Sequence, residues 1–66
     1  MINKLRVLRA IAEVSQQALA DEIGVSRQTI NAMEKGKYVP STVLALKLAR
    51  YFKVAVEEIF VLETED

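Results

Sequence analysis

The spacing of small and apolar residues between positions 16 and 35 constrains the fold of this chain more than any other feature of its sequence. Ala20 is small enough for a second helix to cross closely over it, and Gly24 allows the positive φ at which a first helix can end. Two helices that cross through a turn of about three to four residues need these residue types at this separation. The sequence therefore predicts a helix-turn-helix over residues 16–35, held at a fixed angle by the apolar residues Leu19, Ile23, Val25, Ile30 and Met33.

Three serines divide the helical part of the chain. Ser15, Ser26 and Ser41 each precede a stretch that has apolar residues at helical spacing. A serine hydroxyl in this position can accept a hydrogen bond from a free backbone N–H of the first turn. We expect these serines to cap the second, third and fourth helices, and the third helix is predicted to extend from Arg27 to about Lys35.

Apolar periodicity also predicts helices before and after this motif. The first is expected from about Lys4 to Ala12, because its apolar residues recur every three or four positions. The fourth carries apolar residues on more than one face and is predicted to be the central helix of the core. The apolar residues of the first helix are Leu5, Leu8, Ile11 and Ala12, and those of the fourth are Val43, Leu44, Ala45, Leu46, Leu48, Ala49, Tyr51 and Phe52.

The C-terminal segment fits two kinds of structure. Val56, Ile59 and Phe60 predict a fifth, short helix. Ala55, however, lacks a side chain that could cap this helix, and residues 60–62 suit a strand better than a helix. The expected fold is therefore all-α, a compact five-helix domain over residues 1–66, with a short terminal β-strand pair left open.

Composition excludes several classes of function. The chain of 66 residues contains no cysteine and no histidine, so thiolate chemistry, disulfides and the usual zinc sites are excluded. It also lacks a glycine-rich phosphate loop, and we do not expect an enzyme. No apolar stretch approaches the ~20 residues that cross a bilayer. We therefore expect no cofactor, no metal, no small-molecule ligand, no membrane insertion, and a cytoplasmic location.

Charge is distributed unevenly along the chain, although the formal net charge is zero. Residues 1–53 carry nine basic and four acidic side chains, a net charge of +5. Residues 54–66 carry five acidic side chains and no basic one, a net charge of −5. The basic part is suited to a polyanion such as DNA. The acidic end is interpreted as a solvated end, or alternatively as an end that phosphate repels.

Three segments of the motif resemble the phage Cro and repressor family of helix-turn-helix proteins, the XRE family. They are Ser15–Ala20, Gly24–Ile30 and Glu34–Lys37, and the likeness extends over about Leu5–Phe60. Within that family the chain looks most like the small stand-alone regulators that have only this domain and a short terminal strand. The resemblance implies a Cro/repressor-like fold and a sequence-specific transcriptional regulator whose partner is double-stranded DNA.

The resemblance also implies which residues contact DNA. Gln16, the first residue of the second helix, would contact a phosphate, and Arg27 and Gln28, at the start of the third helix, would face base edges. Glutamine can pair with adenine, and arginine with guanine, through two hydrogen bonds each. Asn31, one helical turn further on, is expected to read a base or to bind the DNA backbone. The alternative for Gln16 and Gln28 is ordinary helix surface.

Other side chains near this edge are suited to phosphate, because hydroxyl and ammonium groups fix the register of a protein on DNA without reading its sequence. Ser26 has an alternative role as a helix cap, and Tyr38 could instead pack its ring on the fourth helix. The full set of predicted DNA contacts is Gln16, Gln17, Ser26, Arg27, Gln28, Thr29, Asn31, Lys35, Lys37 and Tyr38.

An ion pair between the first and third helices is implied by the same resemblance. Arg9 and Glu34 are expected to be its members and to be partly buried. We interpret this pair as structural rather than as part of the DNA contact.

A homodimer is the expected form of the protein. One recognition helix contacts only a few base pairs, and regulators of this size usually bind as two-fold dimers to half-sites about 34 Å apart. Apolar residues at positions 1–2 and 56–64 remain once the helices have packed, and we expect them to form the dimer contact. The predicted function is a repressor on a pseudo-palindromic operator. The alternative is an antitoxin-like protein-interaction module whose DNA binding is secondary and autoregulatory.

Overall fold

Four α-helices form the body of the computed structural model, which describes residues 1–66. The two ends of the chain form short strands that pair antiparallel, with Ile2 opposite Val61. No helix combines the length and the apolar character that are needed to span a bilayer. The elements in chain order are β1 (Ile2–Asn3), α1 (Leu5–Ala12), α2 (Gln16–Ile23), α3 (Arg27–Glu34), α4 (Thr42–Phe52), a 3-10 turn (Val56–Glu58) and β2 (Phe60–Val61).

Serine hydroxyls begin three of the four helices, which confirms the predicted caps. Each hydroxyl accepts a hydrogen bond from a backbone N–H that the first turn leaves without an intrahelical partner. Two helices, α1 and α3, are each one residue shorter than predicted. The bonds join Ala18 N to Ser15 Oγ (3.0 Å), Thr29 N to Ser26 Oγ (3.2 Å) and Leu44 N to Ser41 Oγ (3.2 Å).

Each helix is followed by a residue with positive φ that closes it. Two of these residues are the predicted glycines, Gly24 (φ 83°) and Gly36 (φ 73°), and the others are Glu13 (φ 57°) and Lys53 (φ 58°). The next N–H along the chain then bonds back to a carbonyl five residues earlier, so the free carbonyls of the last turn are satisfied. These bonds run from Val14 to Arg9, Val25 to Ala20, Lys37 to Ala32 and Val54 to Ala49.

The core confirms the predicted packing of the motif. Ala20 is fully buried, and α2 packs directly against α3. Leu5 and Ile59 bring the two ends of the chain into the same cluster. The buried residues are Leu5, Leu19, Ala20, Ile23, Ile30, Met33, Leu44, Leu48, Ala49 and Ile59.

The prediction of a fifth helix is wrong, because its place is taken by the 3-10 turn. Ala55 adopts an extended conformation and offers no capping acceptor; instead its N–H donates to the carboxylate of Glu58 (2.7 Å). The side chain of Ile59, which follows the 3-10 turn, is fully buried in the core. Its carbonyl accepts a hydrogen bond from Lys4 N (2.8 Å), next to the two strands. Strand pairing therefore ends the helical segment after three residues, and the short terminal strand pair is present.

Several apolar residues of α1 and α4 lie on the surface rather than in the core. Only Leu44, Leu48 and Ala49 of α4 are buried, while Leu46 remains 56% exposed. Ile11 of α1 is 75% exposed. A helix can place only one stripe against a core of this size, so the remaining apolar side chains lie on the surface. Three further exposed apolar residues are Val7, Val39 and Val43.

Asn3 connects the N-terminal strand to the end of α3. Its side-chain amide donates to the carbonyl of Met33 (2.6 Å), and its side-chain oxygen accepts from the N–H of Leu5 (3.2 Å). One side chain thus satisfies a carbonyl at the end of α3 and an N–H at the start of α1. The position of α3 therefore depends on the N-terminal segment as well as on α2.

Replacement of Gly24 by alanine is expected to lower the free energy of unfolding by about 1 kcal/mol. An added Cβ would meet no atom within 4 Å, so the loss should come from the positive φ alone. Urea unfolding measures the change, and Gly24→Asn is the matched control because asparagine tolerates this conformation better. Equal losses for the two variants would contradict this explanation.

Candidate nucleic-acid interface

The start of α3 presents two side chains that no other part of the protein engages. Arg27 and Gln28 are exposed, and neither makes a side-chain hydrogen bond or an ion pair. Their backbone N–H groups also lack an acceptor within the chain, because the cap at Ser26 satisfies the N–H of Thr29. A helix start of this kind combines free donors with the positive end of the helix dipole.

Ser26 and Thr29 are tied to each other at this helix start. The Thr29 N–H donates to Ser26 Oγ, and the two hydroxyl oxygens lie 3.0 Å apart. The structure therefore shows the capping role of Ser26. Both hydroxyls remain at the surface of the same turn as Arg27.

The side chain of Gln16 is directed inward rather than left free. Its Nε2 donates to Glu34 Oε1 (3.1 Å) and to Asn31 Oδ1 (3.3 Å), so the first residue of α2 is joined to two residues of α3. The neighbouring Gln17 is exposed and donates to Asp21 (2.9 Å) on its own helix. The two adjacent glutamines thus have different roles, which their sequence position alone does not reveal.

Glu34 and Arg9 form the ion pair that the family resemblance implies. Arg9 Nε lies 2.7 Å from Glu34 Oε2, and Nη2 donates to Oε1 at 3.1 Å, so both carboxylate oxygens are engaged. The Glu34 side chain is 0% exposed, and that of Arg9 is 18% exposed. Arg9 Nη1 also donates to the carbonyl of Val14 (3.1 Å), between α1 and α2. One guanidinium therefore connects α1, the following loop and α3.

Burial alone would raise the pKa of the Glu34 carboxyl, since it disfavours the charged form. Hydrogen bonds from Arg9 and Gln16, together with the charges of Arg9 and Arg6, outweigh burial and hold this pKa below its ordinary value. The bond to Glu34 in turn raises the pKa of Arg9, although desolvation opposes it. Glu34 is therefore ionised at neutral pH.

The loop after α3 carries the remaining predicted contacts. Lys35 and Lys37 are exposed and make no ion pair. Tyr38 is 45% exposed and lines a shallow cavity together with Val25 and Val43. The tyrosine thus lies beside the start of α4, with more than two fifths of its surface still open to a partner.

The acidic end of the chain folds back on its beginning. The Met1 amino group lies 2.9 Å from Glu63 Oε1 and 3.0 Å from Asp66 Oδ2. The hydrogen bonds that the amino group donates to Glu63 and Asp66 raise its pKa. The acidic end of the chain therefore lies beside Met1, next to the β1–β2 pair. The protein has no group of three or more acidic side chains placed to hold a metal ion.

Comparison with known proteins identifies the family of this chain. The family model described as Helix-turn-helix matches residues 5–59. The chain belongs to this family. The match covers most of the protein and confirms the resemblance to the phage Cro and repressor type, so the protein is a DNA-binding helix-turn-helix transcriptional regulator.

Individual members of the family share much of the sequence. The chain is 52% identical over 66 residues to an uncharacterized HTH-type transcriptional regulator of Methanocaldococcus jannaschii, and the match covers 100% of both proteins. It is 35% identical over 57 residues to the cryptic phage CTXphi transcriptional repressor RstR of Vibrio cholerae, covering 86% of this chain and 51% of RstR.

A solved structure shows the same fold. The restriction-modification controller protein C.AhdI from Aeromonas hydrophila superposes with a TM-score of 0.78 at 35% identity, covering 86% of each chain. The helices that surround the motif in this regulator are thus shared with a protein of known structure.

Several residues that contact α3 have roles that no local sequence pattern identifies. Asn3 reaches Met33 across thirty positions of sequence, and Gln16 reaches Asn31 across fifteen. Amide side chains are common on helix surfaces, and only the fold brings these pairs together. Arg6 is similar, since its Nε lies 3.7 Å from Glu34 while its side chain is 72% exposed.

Replacement of Arg9 by alanine is expected to lower the free energy of unfolding by about 3 kcal/mol, because it leaves an enclosed carboxylate without its main partner. Arg6→Ala is the matched control, since it removes an exposed arginine near the same carboxylate and should cost less than about 1 kcal/mol. Urea unfolding at neutral pH measures both. Equal losses would show that Arg9 has no special role.

The difference between the wild type and Arg9→Ala should also depend on pH. In the folded wild type the pKa of Glu34 lies below its value in the unfolded chain, which is about 4.3. The pair therefore stabilises fully above that value, and its contribution is lost as the pH falls through the lower folded pKa. A difference in stability that stayed constant down to about pH 3 would mean that Arg9 acts through packing rather than charge.

Proposed function

We propose that this regulator is a repressor that binds a pseudo-palindromic operator as a homodimer and excludes polymerase from a promoter. The observation that carries the proposal is the unengaged polar edge of α3. Most other polar side chains near the motif are bonded to a neighbour, whereas Arg27 and Gln28 have no partner inside the protein. Exposed side chains whose hydrogen-bonding groups have no partner inside the protein are suited to bind base edges.

Arg27 and Gln28 are proposed to read bases in the major groove, and Asn31 lies one helical turn further along the same face. An arginine paired with guanine, or a glutamine paired with adenine, is worth about 1–3 kcal/mol of discrimination. Specificity therefore depends on a small number of side chains near the start of α3.

A second group of residues is proposed to position the protein on the DNA backbone. Basic side chains and hydroxyls around the reading edge suit phosphate oxygens, and the free N–H groups at the start of α2 add further donors. The side-chain nitrogen of Gln16 is already engaged, so this residue would bind phosphate through its backbone N–H. The proposed positioning residues are Gln16, Gln17, Ser26, Thr29, Lys35, Lys37 and Tyr38.

Repression is the proposed direction of regulation, because a dimer bound at a promoter would occupy DNA that polymerase needs. The chain consists of the helix-turn-helix and its short strand pair over all the residues described, and a bound dimer would obstruct polymerase without any further contact. The resemblance to the repressor RstR supports this direction. A site upstream of a promoter would instead be compatible with activation.

Gln28→Ala is expected to relax base preference at one position of the operator while changing non-specific affinity little, because the lost bonds go to a base. Lys37→Ala is the contrasting variant and should weaken binding to all duplexes about equally, with a reduced salt dependence. Selection from random duplexes, followed by binding titrations at several salt concentrations, measures both effects. An unchanged base preference in Gln28→Ala would remove it as a reader.

The dimer is proposed to form through an apolar surface on the strand side of the molecule. The residue ranges predicted from sequence, 1–2 and 56–64, already pair with each other within one chain, yet Leu62 remains 76% exposed. They border a groove of ≈ 240 Å³ that continues onto α4. The residues that line this groove are Met1, Val39, Pro40, Thr42, Ala45, Leu46, Val56 and Phe60.

Charge makes this surface complementary to a second copy of itself. Leu46 also borders a neighbouring depression with Lys47 and Arg50, whereas the acidic residues Glu57 and Glu58 follow the groove residue Val56 along the chain. In a two-fold dimer the basic residues beside Leu46 on one protomer could pair with the acidic residues after Val56 on the other. The surface therefore favours self-association over contact with an unrelated basic or acidic protein.

Leu46→Lys is expected to weaken dimerisation at least about tenfold, because it places a charge at the centre of an apolar contact. Ile11→Lys is the matched control, since Ile11 is even more exposed but does not line the groove. Analytical ultracentrifugation across micromolar concentrations measures both variants. A wild type that stays monomeric, or equal losses in the two variants, would count against this surface.

A protein-interaction module, as in an antitoxin, is the second candidate. Val7 and Ile11 lie four residues apart on one face of α1 and are 57% and 75% exposed, although neither lines the proposed dimer groove. Such a face could bind a partner protein. Co-transcription with a toxin-like protein, together with a complex that Ile11→Lys disrupts, would favour this candidate.

A further inference from the structure

We infer that Glu34 acts through Gln16 to fix the side-chain orientation of Asn31, so that Asn31 meets DNA as a hydrogen-bond donor. The inference rests on the proposed DNA contact of α3. Asn31 would bind an acceptor, either a phosphate oxygen or an acceptor on a base edge. It would not make the two-bond contact with adenine that asparagine otherwise favours.

The charge on Glu34 decides how Gln16 is oriented. Glu34 is ionised and held by Arg9, so it can only accept hydrogen bonds. The nearest Gln16 atom, at 3.1 Å, must therefore be the amide nitrogen. Turning the Gln16 amide over would place its oxygen against the carboxylate, which is repulsive in an enclosed site.

The orientation of Gln16 then decides that of Asn31. The second N–H of the same Gln16 nitrogen points at the Asn31 amide, 3.3 Å away, so the Asn31 atom at that distance must be its oxygen. A charge on one helix thus determines which end of the Asn31 amide faces away from the protein. Glu34 and Gln16 are positioning residues in this arrangement, and neither needs to touch a base.

The opposite ends of both amides remain available to a partner. Asn31 Nδ2 and Gln16 Oε1 have no hydrogen-bond partner in the protein, and no buried side-chain nitrogen or oxygen is left without one. Both residues are partly exposed, so these two atoms must reach solvent. Asn31 therefore offers a donor on the face of α3 that also carries Arg27 and Gln28, whereas Gln16 offers only an acceptor, which phosphate cannot use.

Adenine recognition by asparagine requires both ends of the amide. The nitrogen must donate to adenine N7 while the oxygen accepts from N6. In this protein the Asn31 oxygen is turned toward Gln16, so the side chain presents one donor. A phosphate oxygen, guanine O6 or N7, or thymine O4 satisfies that donor.

A double-mutant cycle on DNA binding tests the inference. The proteins are the wild type, Gln16→Met, Asn31→Ala and the double variant, measured on the duplex that the wild type selects. Asn31→Ala should weaken binding about three- to tenfold, the value of one hydrogen bond. Gln16→Met should weaken binding similarly, and the double variant should be no weaker than either single variant by more than about twofold, because Gln16 acts only through Asn31.

Base preference distinguishes the two possible acceptors for Asn31, a base edge and a phosphate oxygen. If Asn31 binds a base, Gln16→Met should admit adenine at one position where the wild type rejects it, because the freed amide can turn over. If Asn31 binds phosphate, both single variants should weaken all duplexes by the same factor. Additive losses in the double variant would overturn the inference in either case.

A measurement on the free protein separates this inference from the proposed function. In the wild type the Gln16 side-chain amide protons should exchange slowly with solvent and those of Asn31 rapidly, as NMR can measure. Glu34→Gln should remove the protection of Gln16, and unprotected Gln16 protons in a folded wild type would overturn the inference. A wild type that selects no duplex would instead overturn the proposed function.

Discussion

The enclosed carboxylate of Glu34 is the interaction on which the rest of this structure depends. It lies on α3, and its partners come from α1 through Arg9 and from α2 through Gln16. An enclosed charge is costly unless it is fully paired, so the arrangement is favourable only when all three helices are in place. Apolar contacts favour compaction without strict direction, whereas the hydrogen bonds of this cluster join specific atoms of three helices. The cluster therefore restrains the position of α3 in addition to the apolar contacts of the core and the bond from Asn3.

Short helices make such a constraint necessary. Three of the four helices have eight residues each, below the length of about 12–15 residues at which isolated helices become marginally stable. Serine caps and positive-φ residues satisfy the backbone groups at their ends, but these local devices stabilise only what the core has already assembled. The helices, including the exposed start of α3, therefore depend on the assembled core for their stability.

Much of the fold could be predicted because its signals are local. The serine caps, Gly24 and the buried residues of α2 and α3 lie within a few positions of what they act on, and the structure has them as predicted. The sequence could not exclude a fifth helix. The strand pairing that ends the helical segment involves residues at the opposite end of the chain, which local patterns do not reveal. The roles of Asn3 and Gln16 depend on partners fifteen or more positions away, which periodicity does not describe. Residues at the predicted reading edge were identified by position in a known motif rather than by any local signal.

The absence of internal partners for Arg27 and Gln28 has a consequence for how regulators of this kind diverge. Substitutions at these two positions break no side-chain hydrogen bond or ion pair inside the protein, so under the proposed function a gene duplicate could acquire a different operator with little loss of stability. Asn31 differs from these two residues. Its side-chain amide is bonded to Gln16, which is bonded to Glu34, which in turn pairs with Arg9. A substitution of Asn31 would therefore remove a hydrogen bond between α3 and Gln16 of α2. Helix α3 thus contains two exposed residues whose side chains are independent of the rest of the protein, and a third, Asn31, whose side chain is bonded to α2.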